Sequence, residues 1–552
     1  MSETELSGFP SLLRGTVGTL TSGAPELYGP LPSPNRSRAI NHPQSPVILS
    51  AAADPGDRSA PDPGSGAGQR ISYRYGLWPA LLALAMGLWG IRRENTMWRD
   101  ESVTYQVAHR SLSEIWHLLG TADAVHGLYY FFMHGLFALG GDGLLLLRLP
   151  SVVATSVATL LVASTGTRLA GPRAGLLAGL SFALIPVVQM YAQEGRSYAM
   201  VCALVALATW LLVGAVDDPS RRRLSAYGVT LALAGWLHEF AILALVAHGL
   251  TLYLWRPPRR VLRSWAVAAV LPVAAVAPLT LFSLRQSGQV SWIGWPHPEE
   301  WLVIAAVTLL GLLCAVYGTR QAGVTGRPRA VRLVRLALPL LILPTAALLV
   351  ASLHEPMYVD RYVLYSQLAL GLLIGFAVDR LWAAAGRTAR LAAPRPRAVV
   401  FGIAAAGVAV ALLPVTLQMR TPDSRKDNVT ALAAHARALA PDGAGVLFMP
   451  SRRREWALSY PDDFRGLTDL ALLRSPGADN TLEGTEDSAD RIRARLRGFD
   501  RVVALSDPPG QPEDALPEEA VKRDVLRTEF VVCRRVQDKG GQVTLYARPG
   551  NC

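Results

Sequence analysis

Long apolar segments separated by short polar loops make up most of the chain between residues 76 and 417. Most of them approach the length of about twenty residues that a helix needs to cross a bilayer. The approximate limits of the eleven predicted segments are 76–91, 149–165, 174–191, 198–216, 227–236, 240–255, 265–284, 301–317, 336–352, 362–381 and 399–417. The pattern therefore predicts a polytopic α-helical membrane protein with about eleven transmembrane helices.

One shorter apolar run, 127–139, lies between the first two of these segments. It has fewer residues than a full crossing needs, so we interpret it as an interfacial helix. Counting it as a crossing would turn every later arginine-rich loop outward, against the positive-inside rule. With 127–139 at the interface, the loop that holds Arg221, Arg222 and Arg223 is cytoplasmic. The N-terminus is then cytoplasmic as well, and the C-terminal region is extracytoplasmic.

Three regions follow from this pattern. Residues 1–72 are rich in Pro, Ser and Gly without apolar periodicity, which predicts a disordered cytoplasmic tail. Residues 73–419 form the transmembrane domain, and residues 420–552 form a small extracytoplasmic α/β domain. In the last region, strands are predicted at 445–449, 501–505, 528–532 and 542–546, and helices at 428–439 and 488–497. Cys533 and Cys552 lie there, and the sequence leaves open whether they pair.

Charge and composition narrow the class of partner. Only 17% of the 552 residues are charged, against roughly a quarter in a soluble protein. The net charge of +12 comes largely from arginines beside apolar segments, so it needs no nucleic acid partner. The partner that the composition does require is the lipid bilayer of the cell membrane.

Two adjacent carboxylates, Asp100 and Glu101, follow the first apolar segment. A carboxylate at a membrane surface can accept a proton from an attacking hydroxyl or help to hold a divalent metal ion. The alternative is a charged pair that only marks the interface. The same loop ends in a polar and aromatic cluster with Asp123, His126 and Tyr130, in which the tyrosine could equally be a membrane anchor.

Arginines in two short outer loops are the second candidate feature. Arg196 and Arg361 each lie within a few residues of an apolar segment. The planar guanidinium group binds phosphate oxygens through paired N–H donors, although either arginine could instead form a structural ion pair. The neighbours that share these loops are Gln193, Glu194, Tyr198 and Tyr362.

Four motifs connect these residues in sequence order. They are Trp98-Arg99-Asp100-Glu101, Asp123-Ala124-Val125-His126-Gly127-Leu128-Tyr129-Tyr130, Gln193-Glu194-Gly195-Arg196-Ser197-Tyr198 and Arg361-Tyr362. Together they resemble the GT-C superfamily of membrane glycosyltransferases, and more narrowly the bacterial family 39, protein-mannosyltransferase-like group. Order and spacing agree over about residues 76–385. The second motif departs from the family, which has Pro-Pro where Gly127-Leu128 stand here.

The resemblance implies a GT-C fold and an inverting glycosyltransferase, a hexosyltransferase and in particular a mannosyltransferase-like enzyme. The donor sugar would be carried on a polyprenyl phosphate, and the acceptor would be an extracytoplasmic protein, glycan or lipid. The resemblance implies that Asp100 is the catalytic base or the group that orients the acceptor, with Glu101 beside it as a second catalytic candidate. It also implies that Arg196 and Arg361 are the partners of the donor phosphate. The further candidates for donor or substrate binding are Tyr198, Tyr362, His126, Tyr130, Gln193, Glu194 and Asp123.

A metal ion and two other functions stay open at this point. Some relatives hold a divalent metal near such carboxylates, but no ligand spacing in this sequence indicates one. A transporter or lipid flippase would usually show internal repeats, and none is visible. An inactive membrane scaffold is the third possibility. The concentration of carboxylates and imidazoles in the outer loops favours the enzyme.

Overall fold

The apolar segments fold into long helices. The computed structural model describes residues 64–141, 143–290, 293–387 and 393–552, so the predicted tail at 1–72 lies mostly outside the described residues. Helices α1 to α15 are Gly64–Leu88, Arg99–Ala108, Leu112–Leu119, Gly127–Gly140, Leu144–Ala170, Pro172–Leu184, Pro186–Ala192, Tyr198–Asp217, Arg221–Leu237, Leu243–Trp255, Arg259–Ser283, Pro298–Arg320, Gly323–Ala351, Gln367–Ala385 and Pro394–Gln418. The division of the chain at residues 72 and 419 stays a prediction.

Seven helices in the described part of the chain are long and apolar enough to cross a membrane, and a bent pair makes up to eight. The seven lie at α5, α8, α11, α12, α13, α14 and α15, and the bent pair is α6 with α7. The polytopic helical architecture is thereby confirmed. Helices α1, α9 and α10 coincide with three more of the predicted segments, and their crossing of the bilayer stays a prediction.

The bend between α6 and α7 measures 66° and has a local cause. Ile185 separates the two helices with an extended backbone, at φ −63° and ψ 122°, and Pro186 follows it. A residue before proline is pushed out of the helical region by the proline ring. The chain therefore turns here and delivers the segment 193–197 to the start of α8.

Small residues allow the central helices to approach closely. A Cβ atom at Gly175 of α6 would lie 2.4 Å from the carbonyl oxygen of Ala163 in α5. A Cβ atom at Gly375 of α14 would lie 2.2 Å from the backbone nitrogen of Ala178 in α6. Glycine is required at both contacts because any side chain would force the helices apart. The packed layer of α5, α6 and α14 forms the base on which the loops rest.

Three helices fill the loop between α1 and α5. Helix α2 carries the first motif, and α3 begins with a capping box in which Ser111 and Glu114 bond each other's backbone N–H. Helix α4 coincides with the predicted interfacial run and has 14 residues, a length of about 21 Å against the roughly 30 Å of a bilayer core. Its length therefore agrees with the interfacial interpretation.

The C-terminal region forms an α/β layer structure, as predicted. Its elements are α16 (Val429–Leu439), β1 (Gly445–Met449), α17 (Glu455–Ser459), β2 (Thr468–Asp469), β3 (Leu472–Arg474), α18 (Pro476–Asp479), β4 (Thr485–Glu486), α19 (Ala489–Arg497), β5 (Arg501–Ser506), α20 (Pro517–Glu529), β6 (Val531–Asp538) and β7 (Gly541–Ala547). Five strands pair in the order β2-β1-β5-β7-β6, and β1 runs parallel to β2 and β5. Separate hydrophobic clusters cover the two faces of this sheet.

One predicted strand, at 528–532, is wrong in its position. Helix α20 continues to Glu529, and β6 begins only at Val531. The reason is that Val521, Val525 and Leu526 are buried at helical spacing, which commits the residues before 530 to the helix. Cys533 of β6 and Cys552 form a disulfide, with their Cα atoms 5.5 Å apart.

The C-terminal region packs directly on the first loop. The amide of Val429 donates to the carbonyl of Met97 at 3.0 Å, and the amide of Met97 donates to the Thr430 hydroxyl at 2.9 Å. Helix α17 also lies against α2, where the hydroxyls of Ser102 and Ser459 share a hydrogen bond. The helix that carries the first motif is therefore enclosed between the transmembrane helices and the C-terminal region.

Candidate active site

A cavity of about 620 Å³ lies between the first loop, the ends of the membrane helices and the C-terminal region. Seven of the eleven predicted site residues line it, and they come from all four motifs. These seven are Asp100, Asp123, His126, Arg196, Tyr198, Arg361 and Tyr362. The remaining four, Glu101, Tyr130, Gln193 and Glu194, lie behind its wall.

Asp100 lies in the first turn of α2 and contacts an arginine that follows it by 261 positions in the chain. Its Oδ2 atom accepts from Nη2 of Arg361 at 3.3 Å. The Nε of Arg361 donates to the Tyr198 hydroxyl at 3.2 Å. The Arg361 guanidinium also lies 5.7 Å from the ring centres of Tyr198 and Tyr362, within range of a cation–π contact. Three of the four motifs thus converge on one carboxylate–guanidinium contact.

Arg196 brings a second positive charge to the cavity and is buried, with 6% exposure. Its Nη1 lies 3.3 Å from both the Thr104 and the Tyr130 hydroxyls, and its Nε has no hydrogen-bond partner. Among the residues that the structure describes, no carboxylate forms an ion pair with it. The charges of Asp100 and Asp123 act on Arg196 without forming an ion pair with it. A buried guanidinium with an unpartnered Nε is a favourable position for an anion.

Two histidines line the cavity beside these arginines. The rings of His126 and His238 have centres 5.9 Å apart, and His238 lies 4.5 Å from the ring of Tyr362. Burial, followed by the charge of Arg196, holds the pKa of His126 well below its ordinary value. Burial and the two arginine charges lower the pKa of His238 to about 3. Both imidazoles are therefore neutral near pH 7, and each has a buried Nδ1 without a partner.

Glu101 has a different environment from its neighbour Asp100. Its carboxylate is fully buried and bonds Nε and Nη2 of Arg148, each at 2.7 Å, and Nη1 of Arg93 at 3.3 Å. The amide of Gly195 donates to it at 3.1 Å. Burial alone would raise the pKa of Glu101, but the charges of Arg148 and Arg93 lower it to about 2. The carboxylate is a permanent anion inside the protein and does not reach the cavity.

Three other predicted residues support the wall from behind. The side chain of Gln193 donates to the carbonyls of Gly87 and Trp89 at 2.8 and 2.7 Å. The Tyr130 hydroxyl donates to Asp123 at 2.6 Å. Glu194 is buried 3.7 Å from Nε of Arg425, and burial raises its pKa to about 7. Their side chains contact other groups of the protein in this structure, and their contact with substrate stays a prediction.

Sequence reasoning did not identify the contribution of the C-terminal region to this cavity. Lys426, Asp427, Arg452 and Glu483 line it, together with Thr481 and Leu482. No motif in residues 420–552 singles them out, because their importance arises only from packing against α2. His238 was detectable in part, since a histidine in a short turn between apolar segments is unusual.

The donor set does not fit a divalent metal. In the described ranges, no group of three or more His, Cys, Asp or Glu side chains is placed to hold a metal ion. The carboxylate of Asp100 faces an arginine, and that of Glu101 is saturated by two. We therefore derive no step that uses a metal.

Comparison with known proteins gives a family match over part of the chain. Residues 127–283 match the family described as dolichyl-phosphate-mannose-protein mannosyltransferase. No curated protein matches the chain. The matched range begins with α4, one residue after His126, and ends with α11. It includes Arg196 and His238.

Solved structures match over most of the chain. ArnT from Cupriavidus metallidurans in the apo state aligns with a TM-score of 0.53 at 14% identity, and covers 87% of this chain and 98% of its own. The same protein bound to undecaprenyl phosphate gives a TM-score of 0.53 at 14% identity, with 85% and 97% covered. The chain has the GT-C fold. The oligosaccharyltransferase of Archaeoglobus fulgidus, in complex with zinc and sulfate, gives 0.48 at 11% identity, with 78% and 68% covered.

The GT-C fold confirms the resemblance that the four motifs indicated. Fold and family match together indicate a glycosyltransferase. The loop before α5, the segment before α8 and the segment before α14 bring the motif residues to one cavity, and the C-terminal region closes it.

Proposed function

We propose that this protein transfers a sugar from a polyprenyl phosphate carrier to an acceptor hydroxyl on the extracytoplasmic side of the membrane. The observation that carries the proposal is that Asp100 lines one cavity together with the buried arginines Arg196 and Arg361. A hydroxyl must lose a proton and a phosphate must leave in such a transfer. The cavity offers a carboxylate for the first event and two guanidinium groups for the second.

The donor phosphate would bind between Arg196 and Arg361. Arg196 forms no ion pair with a carboxylate among the described residues, and its Nε is unpartnered, so a phosphate oxygen would complete its hydrogen bonding. The neutral imidazoles of His126 and His238 can donate N–H bonds to phosphate or sugar oxygens without adding charge. ArnT of the same fold has been solved with undecaprenyl phosphate, which supports a lipid phosphate as the carrier.

The reaction follows from the positions of these groups. The acceptor oxygen attacks the anomeric carbon, and Asp100 takes the proton of the acceptor hydroxyl. The bond between the anomeric carbon and the phosphate oxygen breaks, and its electron pair leaves with the phosphate. Arg196 and Arg361 stabilise the charge that develops there. A single direct displacement inverts the anomeric configuration. We propose a hexose as the sugar and mannose as the first donor to test.

The membrane orientation belongs to the same proposal. The arginine-rich loops are placed in the cytoplasm by the positive-inside rule, together with the N-terminus. The cavity and the C-terminal region then share the extracytoplasmic side, because that region forms part of the cavity wall. The disulfide between Cys533 and Cys552 supports this side, since disulfides persist in oxidising compartments.

Transfer of label tests the proposal. Membranes that contain the protein are given radiolabelled mannosyl polyprenyl phosphate, with glucosyl and galactosyl carriers in parallel, and glycosidic products are separated from the carrier. Asp100→Asn removes the proton acceptor while it keeps the shape of the side chain. We expect its product formation to fall by at least about a hundredfold, in line with the loss of a general base.

The matched control is Glu114→Gln, a partly exposed carboxylate of the same loop that caps α3 outside the cavity. Glutamine serves in a capping box as glutamate does, so this variant should keep wild-type transfer. Normal transfer by Asp100→Asn would remove Asp100 from the mechanism. Movement of labelled carrier across the membrane without any new glycosidic bond would instead show a transporter.

A further inference from the structure

Helix α2 has no capping group of its own. Its N-cap residue is Trp98, whose side chain forms no capping hydrogen bond. The first backbone N–H groups of a helix have no partner within the helix and are normally satisfied by a polar side chain. The first of these N–H groups belongs to Arg99, and Asp100 is the next residue. The conformation of this first turn therefore determines where the Asp100 carboxylate points.

The missing cap comes from the far end of the chain. Oδ1 of Asp427 accepts from the backbone N–H of Arg99, the first residue of α2, at 2.7 Å across 328 positions of sequence. A carboxylate at the N-terminus of a helix is also favoured by the helix dipole. Arg99 itself adds a second tie, because its Nε lies 2.9 Å from Oε1 of Glu455 in α17.

Asp427 is held in place by the hairpin that connects β6 and β7. The amide of Asn428 donates to the carbonyl of Lys539 at 2.9 Å. Gly540 has φ +87°, and a Cβ atom there would lie 2.0 Å from Cβ of Asp427. Only glycine allows the turn and the aspartate to approach this closely. The C-terminal sheet therefore fixes the group that caps α2.

We propose that Asp427 is a positioning residue, which caps α2 from the C-terminal region and so holds Asp100 toward the cavity. The inference rests on the proposed function for its effect on transfer. It assigns to the C-terminal region a role in building the active site, through one hydrogen-bond acceptor. An asparagine at the same place would preserve that acceptor, because asparagine and aspartate cap helices about equally well.

Asp427 also lines the cavity, and burial raises its pKa to about 6. A direct role as proton acceptor therefore has to be separated from positioning. The pair Asp427→Asn and Asp427→Ala makes the separation. Positioning predicts that the asparagine variant keeps kcat within about threefold of wild type, while the alanine variant loses about tenfold to a hundredfold in kcat with a smaller change in KM.

The matched control is Asn428→Ala. Asn428 is adjacent in sequence and caps α16, where its Oδ1 accepts from the amide of Ala431 at 3.1 Å. This variant removes a cap from the C-terminal region alone, so the folded protein should keep its kcat. Hydrogen exchange at the amides of residues 99–102 adds a measurement that needs no activity. We expect faster exchange there in Asp427→Ala and unchanged exchange in Asp427→Asn and Asn428→Ala.

Three results would overturn the inference. Equal loss of kcat in the asparagine and alanine variants would make the carboxylate itself catalytic. Wild-type kcat in the alanine variant would remove the positioning role. Unchanged exchange in α2 of the alanine variant would show that Asp427 does not order the helix. Lack of transfer by the wild-type protein would contradict the proposed function instead, and the exchange measurement would still test the cap.

Discussion

The side chains that line the cavity differ in charge, and each charge state suits a different role. Asp100 and Arg361 form an ion pair, Arg196 adds a second buried positive charge, and burial together with these arginine charges lowers the pKa of both imidazoles and keeps them neutral. A protonated histidine next to two guanidinium groups would add repulsion without a partner. The site therefore keeps histidine hydrogen bonds available over the pH range in which the arginines attract an anion.

The depressed pKa of His238 predicts acid sensitivity of the fold. The imidazole has a pKa of about 3 in the folded state and an ordinary value of 6.5, so its contribution is complete above pH 6.5 and is lost as the pH falls toward 3. His238→Gln cannot take up this proton. Between pH 7 and pH 4.5 the wild-type protein should lose on the order of 2–3 kcal/mol more unfolding free energy than the variant.

Thermal unfolding of the solubilised protein at both pH values checks this prediction. The carboxylates and His126 titrate in both proteins, so their contribution cancels in the comparison. A wild-type midpoint that falls no more than that of His238→Gln would show that His238 is protonated without cost in the folded protein.

The sequence could identify Asp100, Arg196 and Arg361 because charged residues stand out beside apolar segments. It could not separate Asp100 from Glu101. Successive residues of a helix point about 100° apart, so one of two neighbours can face the cavity while the other faces the membrane helices. The direction is decided by Arg93, eight residues before Glu101, and by Arg148 of α5, which both pair with Glu101 only after the loop and α5 have packed together. No local pattern carries that information.

At the level of elements, α2 is the best connected part of the site. The membrane helices hold it through Glu101, and the C-terminal region holds it through Asp427, Glu455 and Ser459. A helix of ten residues is too short to be stable alone in water. Its order therefore depends on contacts from both sides.

Loss of the membrane-side contact predicts a stability defect. Glu101→Gln leaves Arg93 and Arg148 buried without a counter-charge, which typically costs about 3–5 kcal/mol. The midpoint of thermal unfolding of the solubilised variant should fall clearly, and the yield of folded protein with it. Asp100→Asn should unfold close to wild type, because Asp100 is partly exposed and has a single 3.3 Å ion pair.

Comparing these two variants in one detergent tests the two carboxylates directly. Wild-type stability of Glu101→Gln together with complete loss of transfer would support the catalytic role that the sequence predicts for Glu101. We expect instead that Glu101→Gln loses stability, whereas Asp100→Asn keeps its stability and loses transfer.

Elements were predictable where a local pattern determines them. The apolar segments, the interfacial run at α4 and strands β1, β5 and β7 are visible in the sequence, since period and composition are local properties. The position of β6 was missed because α20 competes for the same residues. The short strands β2, β3 and β4 have two or three residues each, too few for an alternating pattern.

For the whole molecule, the C-terminal region is a structural part of the site. It contributes Lys426, Asp427, Arg452 and Glu483 to the cavity and docks on α2. Residues 63–552 accordingly form one compact unit. The GT-C fold was predictable from the motifs, but this closure was not, because it joins surfaces that no motif marks.

Orientation in the membrane can be tested with native cysteines. Cys533 and Cys552 form the disulfide of the C-terminal region, whereas Cys202 and Cys314 lie in α8 and α12. Intact cells treated with a membrane-impermeant reductant and a maleimide-linked polymer should give protein that carries two labels. The double variant Cys533→Ser and Cys552→Ser should remain unlabelled under the same conditions. Labelling that requires cell lysis would place the C-terminal region in the cytoplasm.

The cap on α2 has a consequence for how the protein is made. In a chain synthesised from its N-terminus, α1 and the loop that holds α2 are made early, but Asp427 emerges 328 positions after Arg99. The turn that carries Asp100 remains incomplete while the ribosome adds the intervening helices and the first part of the C-terminal region. In nascent chains, the proposed role of Asp427 then implies that Arg196 and Arg361 are present before the carboxylate of Asp100 is ordered beside them. The proposed cap therefore predicts that the turn at Asp100 becomes ordered only after the hairpin between β6 and β7 has folded.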